Sequence, residues 1–414
     1  MNKKRILILS DDFPPIVSGG AGVIAGVQAK ELAKRGFDVM AITTTRDKDK
    51  EGEYVYEGIK VKCIYVKYKE RFRAYISLYN PVCIKIFKKI LQEFKPDIVH
   101  AHNIHQYLSY YALVASHKFG AKVFLTAHDA MMVSYGKVVP DKNNNTAYKV
   151  SLFSQFKSYK FRVNPFRNLF ILYCLRYVNK IFVVSHALNN LLVVNGIKNT
   201  VVVHNGIDLL WWMFINEQVV LPSIVTEILN KNYPVFLFGG RISSLKGSNS
   251  ICDALKIVKF KHPELKVLVA GSVTSQMDSF VLRAKELDVF DMFIFLGWCN
   301  TETMKLIYHK VTGVLVPSIY LDPFPTVNLE AMACGTPVIG TCFGGTGEAV
   351  RNNKEGIIIN PKNPKEFATA ISVLTENKDL RSQYSNNCIN RMKESFDLQK
   401  CIDVIMSWYN QSHE

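Results

Sequence analysis

Short apolar runs, each followed by a turn and then a stretch with helical spacing, recur along the chain. Arg5–Ser10 predicts a buried strand. Ala21–Arg35 predicts a helix, with Val23, Ile24, Val27 and Leu32 on one face and Gly36 as the stop. Asp38–Thr43 predicts a second strand, and Pro81–Phe94 a helix carrying Ile84, Phe87, Ile90 and Leu91 inward. Asp97–Ala101, Lys122–Thr126, Lys180–Ser185 and Thr200–Val203 read as further strands. Runs this apolar suit parallel strands covered on both faces.

The rhythm restarts after Asp208. Strands are expected at Pro234–Phe238, Lys266–Ala270, Met292–Leu296, Gly313–Pro317, Pro337–Gly340 and Gly356–Asn360. Helices are expected at Ser248–Lys261, Gln276–Leu287, Thr301–His309 and Val327–Ala333. Alternating strands and helices define doubly wound α/β domains, and two consecutive sets imply two of them. Their junction falls within about 205–232 by this reading. Such sheets bind ligands beyond the carboxyl ends of their strands, so a cleft between two facing domains is the expected active site.

The bulk numbers fit this picture. A chain of 414 residues with 48% hydrophobic content is long enough for two or three cores. The apolar run Ile6–Leu9 is too short for a signal sequence, and Leu169–Val184 is interrupted by Arg176, Asn179 and Lys180. The nine cysteines are scattered without CxxC spacing, which predicts reduced thiols and neither a zinc site nor a redox pair. The net charge of +16 is unevenly placed. Residues 1–205 hold 31 Lys and Arg against 14 Asp and Glu, whereas residues 206–414 hold 20 against 21.

Residues 317–348 read PSIYLDPFPTVNLEAMACGTPVIGTCFGGTGE. Pro323 and Pro325 around Phe324 keep the backbone out of helix, so Thr326 and Val327 open one. A helix N-terminus offers free N–H groups and a partial positive charge, which suits a diphosphate. Glu330, about one turn in, can accept hydrogen bonds from a ribose diol, and Asp322 on the preceding loop can take hydroxyls of a hexose. Taken singly, each acid reads as a helix-dipole partner or a turn former.

The whole string resembles the acidic-x7-Glu segment of retaining glycosyltransferases of the GT4 type, glycosyl transferases group 1, which have the GT-B fold of two facing Rossmann-like domains. In that family the first acid contacts the donor sugar and the second the ribose. This chain has Asp322 where the commonest family pattern has Glu. Phe238-Gly239-Gly240-Arg241 followed by Lys246-Gly247 resembles the family's G-R-(x)-K-G loop. Val269–Ser272, Phe295–Gly297 and His204–Asp208 match further landmarks. In the N-terminal half, Gly19-Gly20 resembles the loop that approaches the donor phosphates, and Thr126–Asp129 resembles the T-x-H-D motif that contains His128. His100 and His102 are expected to line the cleft.

The resemblance implies an N-terminal acceptor domain (1–206), a C-terminal nucleotide-sugar domain (207–390) and a C-terminal helix within 391–414 that crosses back to the first. It implies a hexosyltransferase that retains configuration by front-face attack, needs no metal or cofactor, and uses a UDP- or GDP-type donor. Arg241 and Lys246 would neutralise the leaving diphosphate, aided by amides near Gly19, Gly20, Pro325, Thr326 and Val327. Phe324 belongs to the same donor segment, and His128 would position the donor sugar.

The acceptor is read from charge. No acidic residue lies between Asp141 and Asp208. That stretch interleaves Lys149, Lys157, Lys160, Arg162, Arg167, Arg176 and Lys180 with aromatics such as Phe153, Phe156, Tyr159 and Phe166. Basic-aromatic segments favour anionic membrane surfaces. The expectation is a lipid-linked saccharide acceptor in cell-surface polysaccharide or glycolipid assembly, met by a cytoplasmic protein peripheral to the inner face of the plasma membrane. Rival readings are another GT-B enzyme (a nucleotide-sugar epimerase or a phosphorylase), a nicotinamide oxidoreductase, and a nucleic-acid-binding protein. The oxidoreductase lacks a GxGxxG after the first strand, and no nucleic-acid-binding motif is present.

Overall fold

The computed structural model describes residues 3–17, 19–215, 218–271 and 277–411. Ser272 and Gln276, which figure in the expectations above, lie outside them. The chain divides into two compact units, residues 1–138, 147–205 and 399–414 in the first, and 139–146 and 206–398 in the second. The expectation of two doubly wound α/β domains holds.

The first unit is built on eight strands: β1 (Arg5–Leu9), β2 (Asp38–Thr45), β3 (Gly52–Tyr56), β4 (Ile59–Tyr65), β5 (Ile98–Ala101), β6 (Lys122–Ala127), β7 (Lys180–Val183) and β8 (Thr200–Val202). Their order is β3-β4-β2-β1-β5-β6-β7-β8. All neighbours are parallel except β3 and β4, which form an antiparallel hairpin at the edge. Four of the five residues of β1 are fully buried, as a strand covered on both faces requires. The hairpin has no counterpart in the sequence reading. Its turn is Glu57-Gly58, with φ of 50° and 83°, so both central residues adopt the left-handed conformation that matches strand twist. Asn or Asp before the glycine would have signalled that turn, and Glu does not.

The C-terminal helix Leu398–Asn410 belongs to the first unit from residue 399 onward. Arg35 bonds Asp403 and Gln399, and Tyr409 is buried against the sheet.

The second unit carries β9 (Val235–Gly239), β10 (Lys266–Ala270), β11 (Phe293–Gly297), β12 (Gly313–Val316), β13 (Val338–Thr341) and β14 (Gly356–Ile359), all parallel, in the order β11-β10-β9-β12-β13-β14. The core packs Phe236, Phe238, Ile251, Leu255, Phe280 and Ile371 around this sheet. The long helix Lys378–Ser395 runs through position 391 and lies within this unit.

In each unit the first strand lies in the middle. The chain winds outward on one side of it, then returns to wind on the other, so the winding reverses between β1 and β5 and between β9 and β12. Loops leaving those paired strands diverge there and open a crevice at their carboxyl ends.

Candidate functional site

The sequence-selected residues of the second unit gather at the reversal between β9 and β12. After β9, Ser243 accepts a hydrogen bond from the Lys246 amide and caps a single 3₁₀ turn, Ser244–Lys246. Gly247 follows with φ of 90°, and a Cβ there would stand 2.1 Å from the Pro317 carbonyl oxygen. Only glycine allows that approach. The amide of Ile319 donates to the Leu245 carbonyl (2.9 Å), so the two loops are stitched together.

This stitching delivers Lys246 to Asp322. Its ammonium pairs with the Asp322 carboxylate and lies 5.5 Å from the centre of the Tyr320 ring. The Ser318 hydroxyl donates to the same carboxylate oxygen (2.8 Å). Asp322 is only 5% exposed, so its charge needs these partners. Burial by itself would pull the Lys246 ammonium down; the Asp322 charge more than offsets this, and the group is held above its ordinary range. From the other side, Gly344 packs its bare α-carbon against Asp322, with φ of 80°, and the Gly345 amide donates to the Asp322 carbonyl (2.9 Å).

Four residues on, the chain enters the helix Thr326–Ala333 through Pro325, whose extended backbone lacks a side-chain cap. The Phe324 ring is buried against Phe396 (5.7 Å between centroids). Thr326 and Val327 are half-buried at the helix start. Glu330 accepts a hydrogen bond from the buried Tyr308 hydroxyl (2.9 Å). Desolvation raises the Glu330 carboxyl above its ordinary value, and the bonds from Tyr308 and Thr326 pull it partly back. Arg241 stands exposed on the loop after β9. Lys246 and Asp322 are thus brought into contact, with Glu330 about one turn into the helix that follows Asp322.

In the first unit, Gly19 has an extended backbone at the start of the helix Gly20–Lys34. A Cβ on Gly19 would meet no atom within 4 Å, so the unit's own packing does not demand glycine there. Gly22 and Gly26 differ: a Cβ would stand 2.9 Å from Asp12 and 2.6 Å from the Pro14 ring. Neither close approach was legible in the sequence.

The histidines form a chain. His100 bridges the Tyr409 hydroxyl (2.6 Å) and the Thr126 hydroxyl (2.7 Å). Its ring stacks on His102, whose Nδ1 lies 2.9 Å from His128 Nε2. His105 lies 3.4 Å from Asp129. Desolvation pushes His100 down to about 3, and His105 and His128 down to about 4. His128 is therefore neutral near pH 7, a hydrogen-bonding group rather than a cation.

Asp11 escaped the sequence reading. Its fully buried carboxylate accepts from the amides of Gln106 (2.7 Å), Tyr107 (3.0 Å) and Leu108 (2.8 Å), tying the loop after β1 to the loop after β5. Burial raises it to about 7 despite these three bonds. Tyr308 and Ser318 were missed as well. Ser318 lies inside the quoted string, but Tyr308 sits on the helix Thr301–Lys310 with no local signal.

Arg167 corrects an expectation. The basic-aromatic stretch would present it to an anionic membrane surface, yet it is 2% exposed, bonds the Met131 carbonyl, and stacks on Tyr135 (4.9 Å). Its helix, Arg167–Leu175, turns it inward.

Comparison with known proteins bears on the family and the fold. The family model for glycosyl transferases group 1 matches residues 224–391, and that for glycosyltransferase family 4 matches residues 18–210. The glycogen synthase of Mycobacterium tuberculosis is 24% identical over 95% of this chain and 92% of its own. Among solved structures, the sucrose-phosphate synthase of Thermosynechococcus elongatus superposes with a TM-score of 0.77 at 19% identity, covering 99% of both chains. Anabaena HepE in complex with UDP and glucose gives 0.70 at 18% identity, covering 98% of both. The chain belongs to the glycosyltransferases of group 1 and family 4, with the GT-B fold. No helix among the described residues is long and apolar enough to cross a membrane.

Proposed function

We propose that the protein transfers a hexose or related sugar from a UDP- or GDP-type donor to an acceptor hydroxyl, retaining anomeric configuration and needing no metal or cofactor. The observation that carries the reading is the Lys246–Asp322–Ser318 cluster, set just before the open start of the helix Thr326–Ala333, with Glu330 within that helix. The helix amides and Lys246 suit a diphosphate, Glu330 a ribose diol, and Asp322 a sugar hydroxyl. The UDP and glucose bound to HepE, a relative in fold, support a nucleotide-sugar donor.

Charge on the departing phosphate would be stabilised by Lys246, Arg241 and the amides of Thr326 and Val327; in the first unit, the open space at Gly19 would leave room for a ligand to approach the backbone. This is electrostatic preorganisation rather than covalent catalysis. Neutral His128 would position a sugar hydroxyl through a hydrogen bond. In the first unit Lys157, Lys160 and Arg162 are exposed beside Phe153 and Phe166, which are 80% and 71% exposed. This surface supports a lipid-linked saccharide acceptor at an anionic membrane, in cell-surface polysaccharide or glycolipid assembly, by a cytoplasmic peripheral protein.

Calorimetry with UDP, GDP and ADP, followed by NMR of the product anomer made with and without EDTA, tests the reading. It predicts nucleoside-diphosphate binding, a retained anomer and no effect of EDTA. An inverted product, or a strict requirement for Mg²⁺ or Mn²⁺, would overturn the mechanism.

A further inference from the structure

The first unit contains a cavity of about 660 Å³ between the segments 71–75 and 158–162. Three cations line it, Arg71, Lys160 and Arg162, together with the rings of Phe72, Tyr75 and Tyr159. No acid is among its lining residues. The neighbouring Glu70 is engaged by Arg46 (3.1 Å), and no ion pair joins the three cations to a carboxylate among the described residues. Three like charges around one hollow repel one another, and an anion relieves that repulsion.

Two features show that the hollow is built. The Tyr159 hydroxyl occupies the space over Gly136, where a Cβ would stand 2.0 Å from it, so any larger residue would displace the ring. Lys160 has φ of 50° and ψ of −132°, outside the left-handed helical well and comfortable only for glycine. A lysine held there at a conformational cost, with its side chain lining the hollow, fits a group retained for its charge.

We infer that this cavity binds a phosphoryl group attached to an apolar or ring-containing moiety, the cations taking the phosphate and the aromatic rings the remainder. As an acceptor site it rests on the glycosyltransferase reading. As an anion site it stands alone.

The test measures binding of three probes to the full chain: inorganic phosphate, a soluble short-chain prenyl phosphate, and neutral-lipid vesicles doped with phosphatidic acid. The wild type is expected to bind the prenyl phosphate saturably and more tightly than inorganic phosphate. Retention on doped vesicles would identify the source as a lipid headgroup, and binding of the soluble ester without retention a soluble phosphate ester. R71A/R162A should weaken binding at least about tenfold, R71K/R162K should restore most of it, and UDP or GDP binding should be unchanged in both. K160G should weaken binding while raising Tm. Absence of saturable binding by all three probes, or wild-type affinity in R71A/R162A, would overturn the site even if the nucleotide binds. Phosphate binding without nucleotide binding would leave the site standing and overturn the donor reading instead. A K160G variant that binds normally or melts lower would overturn the role given to Lys160.

Discussion

Lys246 and Asp322 lie 76 positions apart and depend on each other. Lys246→Ala should lower kcat at least about 10²-fold if the ammonium faces developing phosphate charge. It should also cost about 2–3 kcal/mol of stability by leaving Asp322 with an unpaired buried charge, less than for a wholly buried pair because Lys246 is partly exposed. Adding Asp322→Asn removes that charge. The double variant should therefore regain stability but not activity, as denaturant titration and steady-state kinetics on the same samples would reveal. Equal stability of the single and double variants would contradict the pairing. Glu330→Ala should weaken nucleoside-diphosphate binding by roughly 1–3 kcal/mol; wild-type affinity by calorimetry in a folded variant would sink the ribose role.

Among elements, the loop after β9 shows how backbone geometry sets side-chain chemistry. Gly247→Ala places a methyl into the Pro317 carbonyl at a positive φ. We expect a loss of at least about 2 kcal/mol, together with weaker nucleotide binding as Lys246 is displaced. The same replacement at Gly19, where the surrounding space is open, should leave stability nearly unchanged and lower activity alone. A Gly19→Ala variant with full activity would remove the case for ligand approach there. Most strands and the helix Pro81–Phe94 were legible because fully buried parallel strands and one-faced helices leave a periodic record. The hairpin β3–β4 was not, since it depends on a Glu-Gly turn and on edge pairing that follows no local rule. The helix direction that buries Arg167 was also hidden, because composition says which residues are basic and not which way they face.

At the scale of the molecule, charge and protonation make the predictions. Buried histidines of the first unit bind protons only near pH 3–4, whereas in the unfolded chain they do so near 6.5. Between those values the unfolded state holds more protons, so stability present above pH 6.5 is lost on acidification, by about 1.4 kcal/mol per pH unit for each histidine. Asp11 opposes this. Its folded value near 7 lies above its ordinary 3.8, so its contribution is greatest in acid and fades as pH rises through 7. Three histidines outweigh one aspartate. Tm should fall from pH 7 to pH 5, and fall more steeply in Asp11→Asn. A Tm that stays level or rises would refute the buried neutral histidines. The net charge of the first half predicts salt-reversible sedimentation with anionic but not neutral liposomes, abolished by Glu at Lys157, Lys160 and Arg162 with nucleotide binding spared. If that variant still sediments fully, the basic surface only aids solubility.

The sequence by itself determined the fold class, the strand rhythm and the residue string 317–348, because these depend on local periodicity and on side chains close together in the chain. Only the tertiary structure decided that Lys246 meets Asp322, that Tyr308 reaches Glu330, that Asp11 ties two loops, and that Arg167 faces inward. Those contacts join residues tens of positions apart. Their energies come from burial and from exclusion of water, which exist only once the sheets have assembled.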